Sequence, residues 1–426
     1  GVSNYDEVKH AKEIGLKIII TDHHLPPVVC PNADFIVNPK INNKPFAARE
    51  AAGVGVAFKL AEQMFRLQGF PPNSKTKKYL DLVSLGTIAD IVPLLQENRL
   101  LTMLGLQQLN SFSRVGVKSL ARVSNIQDKV TTRDIGFALA PRINAAGRMD
   151  HANLSAQLLL AKNYPEAKKL AQQLNQLNIQ RQNAGSLIMS EVEEKIKNLS
   201  DLKDRKVLIF SSQKWHPGII GIVASQIVRR YNRPTVLIAE YENGGRGSIR
   251  SLEGLDIFEP LSKCGYLLKD YGGHKEAAGF EIALDKISEF SEAYTEIIEN
   301  SVKQEDLVPI LDIEMELKSE EITFALAREL QKLAPFGQSN RIPIFSTKDL
   351  AIIDFRKLSG GKHLKMTFSD GERLIDGIAF GQGELFDVLL HGGRFEVAFS
   401  LDVHEWNGET KLQLNIKDIR EYAEAN

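Results

Sequence analysis

The chain has 426 residues, more than one ordinary core accommodates, so it is expected to form several domains. Lys+Arg number 53 and Asp+Glu 54, a net charge of −1, which excludes a histone-like polyanion binder and leaves any nucleic-acid contact to a local basic surface. Hydrophobic residues make up 43% and charged residues 25%, an ordinary globular balance.

Residues 5–14 (YDEVKHAKEI) predict a short polar helix capped by Gly15, and LKIIIT predicts a buried strand. "DFIVNP" predicts a second strand closed by Pro39, and "AAGVGVAFKLAEQMFRLQG" a helix ending at Gly69. This order of helix, glycine, apolar strand and polar loop is that of a parallel α/β sheet. Residues 99–122 and 151–199 are helix-rich. Pro165 opens a long helix there, with Leu170, Leu174 and Leu177 on one face, and that helix is expected to link two lobes. "KVLIFSS" and "RPTVLIAEY" predict strands around a helix in "HPGIIGIVASQIVRRY", a second α/β unit. From about residue 305 short alternating strands take over, with Asp370-Gly371 and Asn407-Gly408 as hairpin turns, and predict a small β-barrel. The two cysteines, Cys30 and Cys264, offer neither a metal-ligand spacing nor a disulfide framework, which points to a reducing, cytoplasmic setting. No apolar run nears the ~18 residues of a membrane span, and no secretory signal is visible.

"TDHHLPP" places Asp22, His23 and His24 at the end of a predicted strand, where open parallel sheets bind ligands. Neutral imidazole suits divalent first-row metals. Adjacent side chains in an extended segment diverge, so the expected division gives His23 to a metal and His24 to an anionic substrate, with Asp22 orienting a ring. The competing reading is a polar loop capped by prolines. In "DLVSLGTIADIVPL", Asp81 and Asp90 lie in an apolar run, which acids occupy when paired, capping or metal-bound. Asp90, at a predicted turn, is the candidate ligand, and Asp81 is expected on an exposed helix face. "APRINAAGRMDH" sets Arg142, Asn144 and Arg148 among small residues, suited to close approach of phosphate. "NGGRGSIRS" and "YGGHKEAAGF" are read as two glycine-rich loops. Their amides would cradle an oxyanion beside Arg246, Ser248, Arg250, Ser251, Gly272, Gly273, His274 and Lys275, although two ordinary turns would read the same way. His216 either contacts a strand or caps the following helix.

These motifs, with "LNIQRQ", "WHPGIIGIVAS" and "LAPFG" in the same order, resemble the DHH phosphoesterase superfamily and, within it, the RecJ exonucleases, over nearly the whole chain. The resemblance implies an α/β protein of three modules. These are a parallel-sheet DHH domain (1–164) lacking its N-terminal part, a connecting helix (165–199) leading to an α/β DHHA1 domain (200–303), and an OB-fold barrel (304–426) that binds nucleic acid. It implies 5′-to-3′ hydrolysis of single-stranded DNA to mononucleotides with two Mn²⁺ or Mg²⁺ ions, a place in DNA repair and recombination, and a single-strand-binding protein or helicase as possible partners. No membrane partner is implied. By resemblance, His23 and Asp90 are metal ligands and His24 faces substrate. Arg142 and Arg148 contact phosphate, and Ser248, Arg250, Ser251 and His274 hold the terminal phosphate.

The family also has an upstream Asp-rich motif and a later Asp before a Gly, neither of which is in this sequence. The chain is therefore expected to be a truncated form that binds metal weakly and lacks nuclease activity. In the barrel, Lys357, Lys362, Lys365 and Arg373 are expected to supply charge, and Phe355, Phe368 and Trp406 are candidates for base stacking or for core. Two alternatives stand beside the exonuclease: a phosphodiesterase for short oligonucleotides, and a non-catalytic nucleic-acid-binding scaffold.

Overall fold

The computed structural model describes residues 1–41, 47–149, 151–391, 394–406 and 409–421. The elements run α1 (Tyr5–Glu13), β1 (Ile19–Thr21), β2 (Phe35–Val37), α2 (Gly53–Leu67), α3 (Leu80–Ala89), α4 (Gln96–Asn110), α5 (Val115–Val123), α6 (Thr132–Asp134), α7 (Ala140–Met149), α8 (Asn153–Leu160) and α9 (Tyr164–Lys197). Then come β3 (Leu208–Ser212), α10 (Ile220–Tyr231), β4 (Thr235–Tyr241), β5 (Gly244–Arg250), α11 (Phe258–Lys263), β6 (Leu268–His274), β7 (Ala277–Ile282) and α12 (Ile287–Ser301). The C-terminal part holds β8 (Met315–Glu316), α13 (Phe324–Gln331), β9 (Phe345–Thr347), β10 (Ala351–Leu358), β11 (His363–Ser369), β12 (Leu374–Ala379), α14 (Leu385–Leu389), β13 (Phe395–Trp406) and β14 (Glu409–Glu421). They divide into two units, one of Gly1–Ser111, Val130–Ile135 and the segment from Leu311 onward, the other of Phe112–Lys129 and Gly136–Ile310.

In the first unit β1 and β2 pair in parallel. Asp6 and Glu7 favour the start of α1 and Lys12 its last turn, as the helix dipole requires, and Gly15 (φ 83°) lets the chain leave the helix toward β1. The expected buried strand is only three residues long, and one side chain, Ile20, faces a small core with Val2 and Val8. Ile19 and Phe35 are 63% and 68% exposed, because strand side chains alternate and only one face of this pair is covered. α2 and α3 pack through Phe58, Leu80 and Val83.

From Leu311 on, the same unit carries a seven-stranded sheet in the order β10-β11-β12-β14-β13-β9-β8. β11 and β12 form the hairpin expected at Asp370-Gly371. Gly371 takes φ 96°, and Asp370 Oδ1 accepts the amides of Glu372 and Arg373. The expected Asn407-Gly408 turn lies outside the described residues. The sheet's core gathers Leu364, Met366, Phe368, Val397, Phe399 and Leu414, all within 1% of complete burial.

The second unit is built on the long helix and a five-stranded sheet, order β3-β4-β5-β7-β6. Asn163 caps α9 through the Glu166 amide and Pro165 occupies its first turn. Leu170 and Leu174 are buried with Asn178, while Leu177 is half-buried at the edge of that face. β4 reads as a continuous apolar run because both of its faces are covered. Val236 and Ile238 join Ile249, Phe280, Phe290 and Tyr294 on one side, and Leu237 and Ala239 join Val223, Ile227 and Val192 on the other.

The glycine-rich stretches are strands, not loops. "GGRGSIR" is β5, hydrogen-bonded to both β4 and β7, so its amides serve the sheet instead of standing free for an oxyanion. Its glycines serve packing. A Cβ at Gly247 would come 2.0 Å from Phe280 Cζ, and one at Gly245 3.0 Å from an Ile238 methyl. "LKDYGGH" is β6, an edge strand paired with β7 alone. Gly273, at φ 155°, lies where a Cβ would meet Ala278 Cα at 2.5 Å.

Candidate metal centre and anion cleft

Asp22 follows β1 at its carboxyl end, its amide bonded to the Val37 carbonyl of β2 at 3.0 Å. Its carboxylate is heavily engaged. Oδ1 accepts the amides of His23 (2.7 Å) and His24 (3.0 Å) and the His24 Nδ1 (2.7 Å), and Oδ2 accepts the amide of Val2 (2.7 Å). Burial by itself would raise the Asp22 carboxyl, but the amides of His24 and Val2, the His24 ring and the His23 amide outweigh it and hold it well below the ordinary carboxylate range. An ionised Asp22 makes His24 Nδ1 the protonated nitrogen, leaving His24 Nε2, on a side chain 63% exposed, free to meet a ligand.

His23 turns the other way. Its Nδ1 lies 3.4 Å from Asp90 Oδ2, joining two segments far apart in sequence. Gly53, at the start of α2, makes room for the ring, since a Cβ there would come 3.3 Å from His23 Cδ2. The two imidazoles do not diverge as the extended backbone led us to expect. Their centroids are 4.3 Å apart at 44°, because the Asp22 carboxylate draws His24 back, and ligand atoms of Asp22, His23 and His24 all lie within 4.8 Å of one another.

Asp90 is the C-cap residue of α3, its amide bonded to the Gly86 carbonyl at 3.0 Å. A carboxylate at a helix C-terminus opposes the dipole, so it is favoured there only with a cation or imidazolium beside it. The next residue, Ile91, has φ 56°, a left-handed conformation that a β-branched residue adopts only under constraint. Asp81 departs from expectation. It lies on the buried side of α3, 2% exposed, and its Oδ1 accepts the Leu82 amide. The segment is hydrophobic all round and is packed on both sides by α2 and α4, so no solvent face is left for Asp81.

In the second unit, Arg148, Arg246, Ser248, Arg250 and Gly272 line a cleft of about 440 Å³ that no carboxylate enters among the described residues. Arg250 donates to Ser248 Oγ at 3.0 Å and to the Ile249 carbonyl at 2.7 Å, and Arg148 to the Gly218 carbonyl at 3.2 Å. Gly221, in the first turn of α10, admits this arrangement, for a Cβ there would lie 2.8 Å from Arg250 Nη2 and 2.9 Å from Ser248 Oγ. Arg142 donates to Asn175 Oδ1 at 2.9 Å and Arg181 to Asn178 Oδ1 at 3.1 Å. Burial lowers all four guanidiniums, Arg142, Arg148, Arg181 and Arg250, below their ordinary value. Arg148 and Arg142 lower Arg181 further, and Arg148 lowers Arg250. None of the four forms an ion pair among the described residues. Charges desolvated together without a counter-charge call for a bound anion.

Other expected contacts lie elsewhere. Asn144 is exposed on α7, and neither it, Gly273 nor His274 lines the cleft. The Ser251 hydroxyl is buried without a hydrogen-bond partner among the described residues, its amide bonded to the Glu276 carbonyl. His216 caps the turn into α10, its Nδ1 accepting the Gly218 amide at 3.1 Å. In the C-terminal sheet Phe368 is core, and Phe355 packs edge-on against Phe386. Arg373 is committed to Asp370 and to the Ile322 and Ser319 carbonyls, and Lys357 and Lys365 face Asp387 and Asp376 at 3.8 and 3.7 Å. The Trp406 side chain lies outside the described residues. Arg181, by contrast, received no role from the sequence, although "LNIQRQ" was among the motifs. The signal was an Asn-x-x-Arg spacing that continues the buried face of α9.

Three families match segments of the chain: the DHH family N-terminal domain over residues 1–87, the DHHA1 domain over 204–300 and the RecJ OB domain over 313–418. The single-stranded-DNA-specific exonuclease RecJ of Bacillus subtilis is 36% identical over 422 residues, covering 98% of this chain and 52% of that protein. RecJ of Haemophilus influenzae is 36% identical over 437 residues, covering 98% and 76%. The chain thus spans about half the length of the first of these relatives. Among solved structures, RecJ of Thermus thermophilus in complex with Mn²⁺ superposes with a TM-score of 0.86 at 31% identity, covering 99% of this chain and 61% of that one. Its complex with Mg²⁺ gives 0.81. With its three domain matches, its identity to full relatives and its fold in agreement, the chain belongs to the RecJ family.

Proposed function

We propose that the protein is a metal-dependent exonuclease that hydrolyses single-stranded DNA from a 5′ end to mononucleotides. The observation that carries this reading is the approach of His23 Nδ1 to Asp90 Oδ2 at 3.4 Å beside the anchored Asp22–His24 pair. An imidazole and a carboxylate held together at a strand end and a strained helix end suit a divalent cation. His23 and Asp90 would hold the ion, Asp22 would fix the orientation of the His24 ring, and His24 would face the substrate phosphoryl group. Bound there, Mn²⁺ or Mg²⁺ would supply Lewis-acid stabilisation of phosphoryl charge and activate water. The relatives solved with Mn²⁺ and with Mg²⁺ support that choice of ion.

The arginine-lined cleft would hold the terminal phosphate through Arg148, Ser248 and Arg250, and the C-terminal sheet would contact the incoming strand. The domain matches support a DHH module over 1–164, a connecting helix over 165–199, a DHHA1 module over 200–303 and an OB module over 304–426. A two-ion site draws on several carboxylates. The free ligand atoms of His23 and Asp90 are expected to bind one Mn²⁺ weakly, with hydrolysis needing further carboxylate ligands. The test is a calorimetric Mn²⁺ titration of wild type, His23→Ala and Asp90→Ala, together with product lengths on 5′-phosphorylated single-stranded DNA in a protein that also carries the family's aspartate motifs. Binding unaffected by both substitutions, or products longer than mononucleotides, would refute the reading.

A further inference from the structure

The cleft that carries Arg148 and Arg250 does not end at Ser248. A second cavity, of about 240 Å³, opens from it along α10 and shares Arg148, Arg250 and Gly221 with it, adding Ser225, Gln226 and Arg229. A third, of about 530 Å³, continues between α9 and α10, shares Ile222 and Gln226 with the second, and has Arg181 in its wall. Five arginines therefore line these three adjoining cavities, and among the described residues none of the three linings includes an Asp or Glu. Ser225 Oγ is bonded to the Gly221 carbonyl at 3.0 Å, which leaves its oxygen free to accept and its proton committed. Gln226 and Arg229 project from exposed positions one helical turn apart.

We propose that this second cavity is a distinct anion subsite, so that the cleft takes a linear phosphoanhydride: a pyrophosphate, or a 5′-terminal diphosphate or triphosphate, with its second phosphoryl group between Arg229 and the shared pair Arg148 and Arg250. The inference rests on the reading of the first cleft as a phosphate site. Two anion positions bridged by the same two guanidiniums fit phosphoryl groups linked directly through oxygen. Backbone phosphates of a nucleotide chain are separated by a sugar, and a space of about 240 Å³ falls below the roughly 300 Å³ at which drug-sized ligands are enclosed. Planar forks recognise such oxygens bidentately, and clustered charge whose described lining holds no acid lets each added phosphoryl group tighten binding.

The experiment is a calorimetric titration of the metal-free chain in EDTA with inorganic phosphate, pyrophosphate, tripolyphosphate and a 5′-triphosphorylated oligothymidylate. Pyrophosphate is expected to bind about tenfold or more tighter than phosphate. Arg229→Ala is expected to bring pyrophosphate close to the phosphate value while leaving phosphate itself unchanged, and Arg229→Lys to recover only part of the gain. Arg250→Ala is expected to weaken every probe. Equal affinity for phosphate and pyrophosphate overturns the second subsite, as does equal weakening of both by Arg229→Ala. If phosphate does not bind, or Arg250→Ala leaves it unaffected, the reading of the first cleft fails, and the proposal with it. Binding of the inorganic probes without the triphosphorylated oligonucleotide confines the subsite to free phosphoanhydrides and rejects the 5′-terminal arm.

Discussion

Replacing Leu94 by alanine probes how the segment after Asp90 is held. Leu94 is 2% exposed, its amide donates to the Gln338 carbonyl at 2.8 Å, and a Cβ on Gly337 would come 2.6 Å from its Cδ1. The "LAPFG" stretch thus seats this leucine, while Asn340 pins the same loop through the Leu333 and Pro335 carbonyls at 3.0 and 2.8 Å. Arg99, on α4, donates to the Leu333 and Ala334 carbonyls at 3.0 Å each, at the end of α13. Removing three buried carbons costs about 2–2.5 kcal/mol in transfer, and any cavity that persists raises this toward about 4 kcal/mol. Arg99→Ala, at a partly exposed charge, is expected to cost only about 1 kcal/mol. Both bear on the strained Ile91 and, through it, on Asp90, four positions before Leu94. Urea denaturation should show the two losses, and hydrogen exchange should quicken across residues 90–98 while β13 and β14 keep their protection. Mn²⁺ affinity should fall several-fold with Leu94→Ala. A loss under about 1 kcal/mol for Leu94→Ala, or unchanged exchange at residues 90–98, would show that this docking does not hold Asp90 in place.

Three further outcomes are expected. Asp22→Asn should lower hydrolysis by about 10–100-fold, in a protein that also carries the family's aspartate motifs, through loss of the carboxylate that orients the substrate-facing His24. Because the Asp22 pKa is lowered in the folded state, its contribution to stability is fully present above the unfolded carboxylate value of about 3.9 and is lost as pH falls below it. The urea-midpoint gap between wild type and Asp22→Asn should therefore shrink on acidification, and a gap that widens would contradict the assigned bonds. Burial pushes the Cys264 thiol up to about 11, whereas Cys30 is half-buried, so a thiol reagent at neutral pH should label Cys30 in the native protein and Cys264 only after unfolding. Rapid labelling of both would refute that environment. Phe368→Ala, at a fully buried site, should destabilise the C-terminal sheet by about 3–5 kcal/mol, and a loss confined to DNA binding would instead mark Phe368 as a stacking surface.

Outside the glycine-rich stretches, the sequence by itself determined the main helices and strands and their order. Helical spacing, Gly15 and Gly69 as helix ends, Pro165 as a helix start and Asp370-Gly371 as a turn are local signals, and local backbone preferences decide them. The chemical types at the candidate centre were legible for the same reason, since an Asp-His-His triplet after an apolar strand is unusual wherever it occurs. Only tertiary structure decided which of these groups meet. His23 pairs with Asp90 and not with Asp81, because the packing of α2 and α4 on α3 buries one acid and leaves the other at the helix end. The glycine-rich stretches could not be told from loops in sequence, because glycines that admit the Phe280 ring between paired strands look the same as glycines that turn the chain. Arg181 joins Arg142 and Arg148 only once α7 is laid along α9, a contact between distant segments that no local pattern encodes.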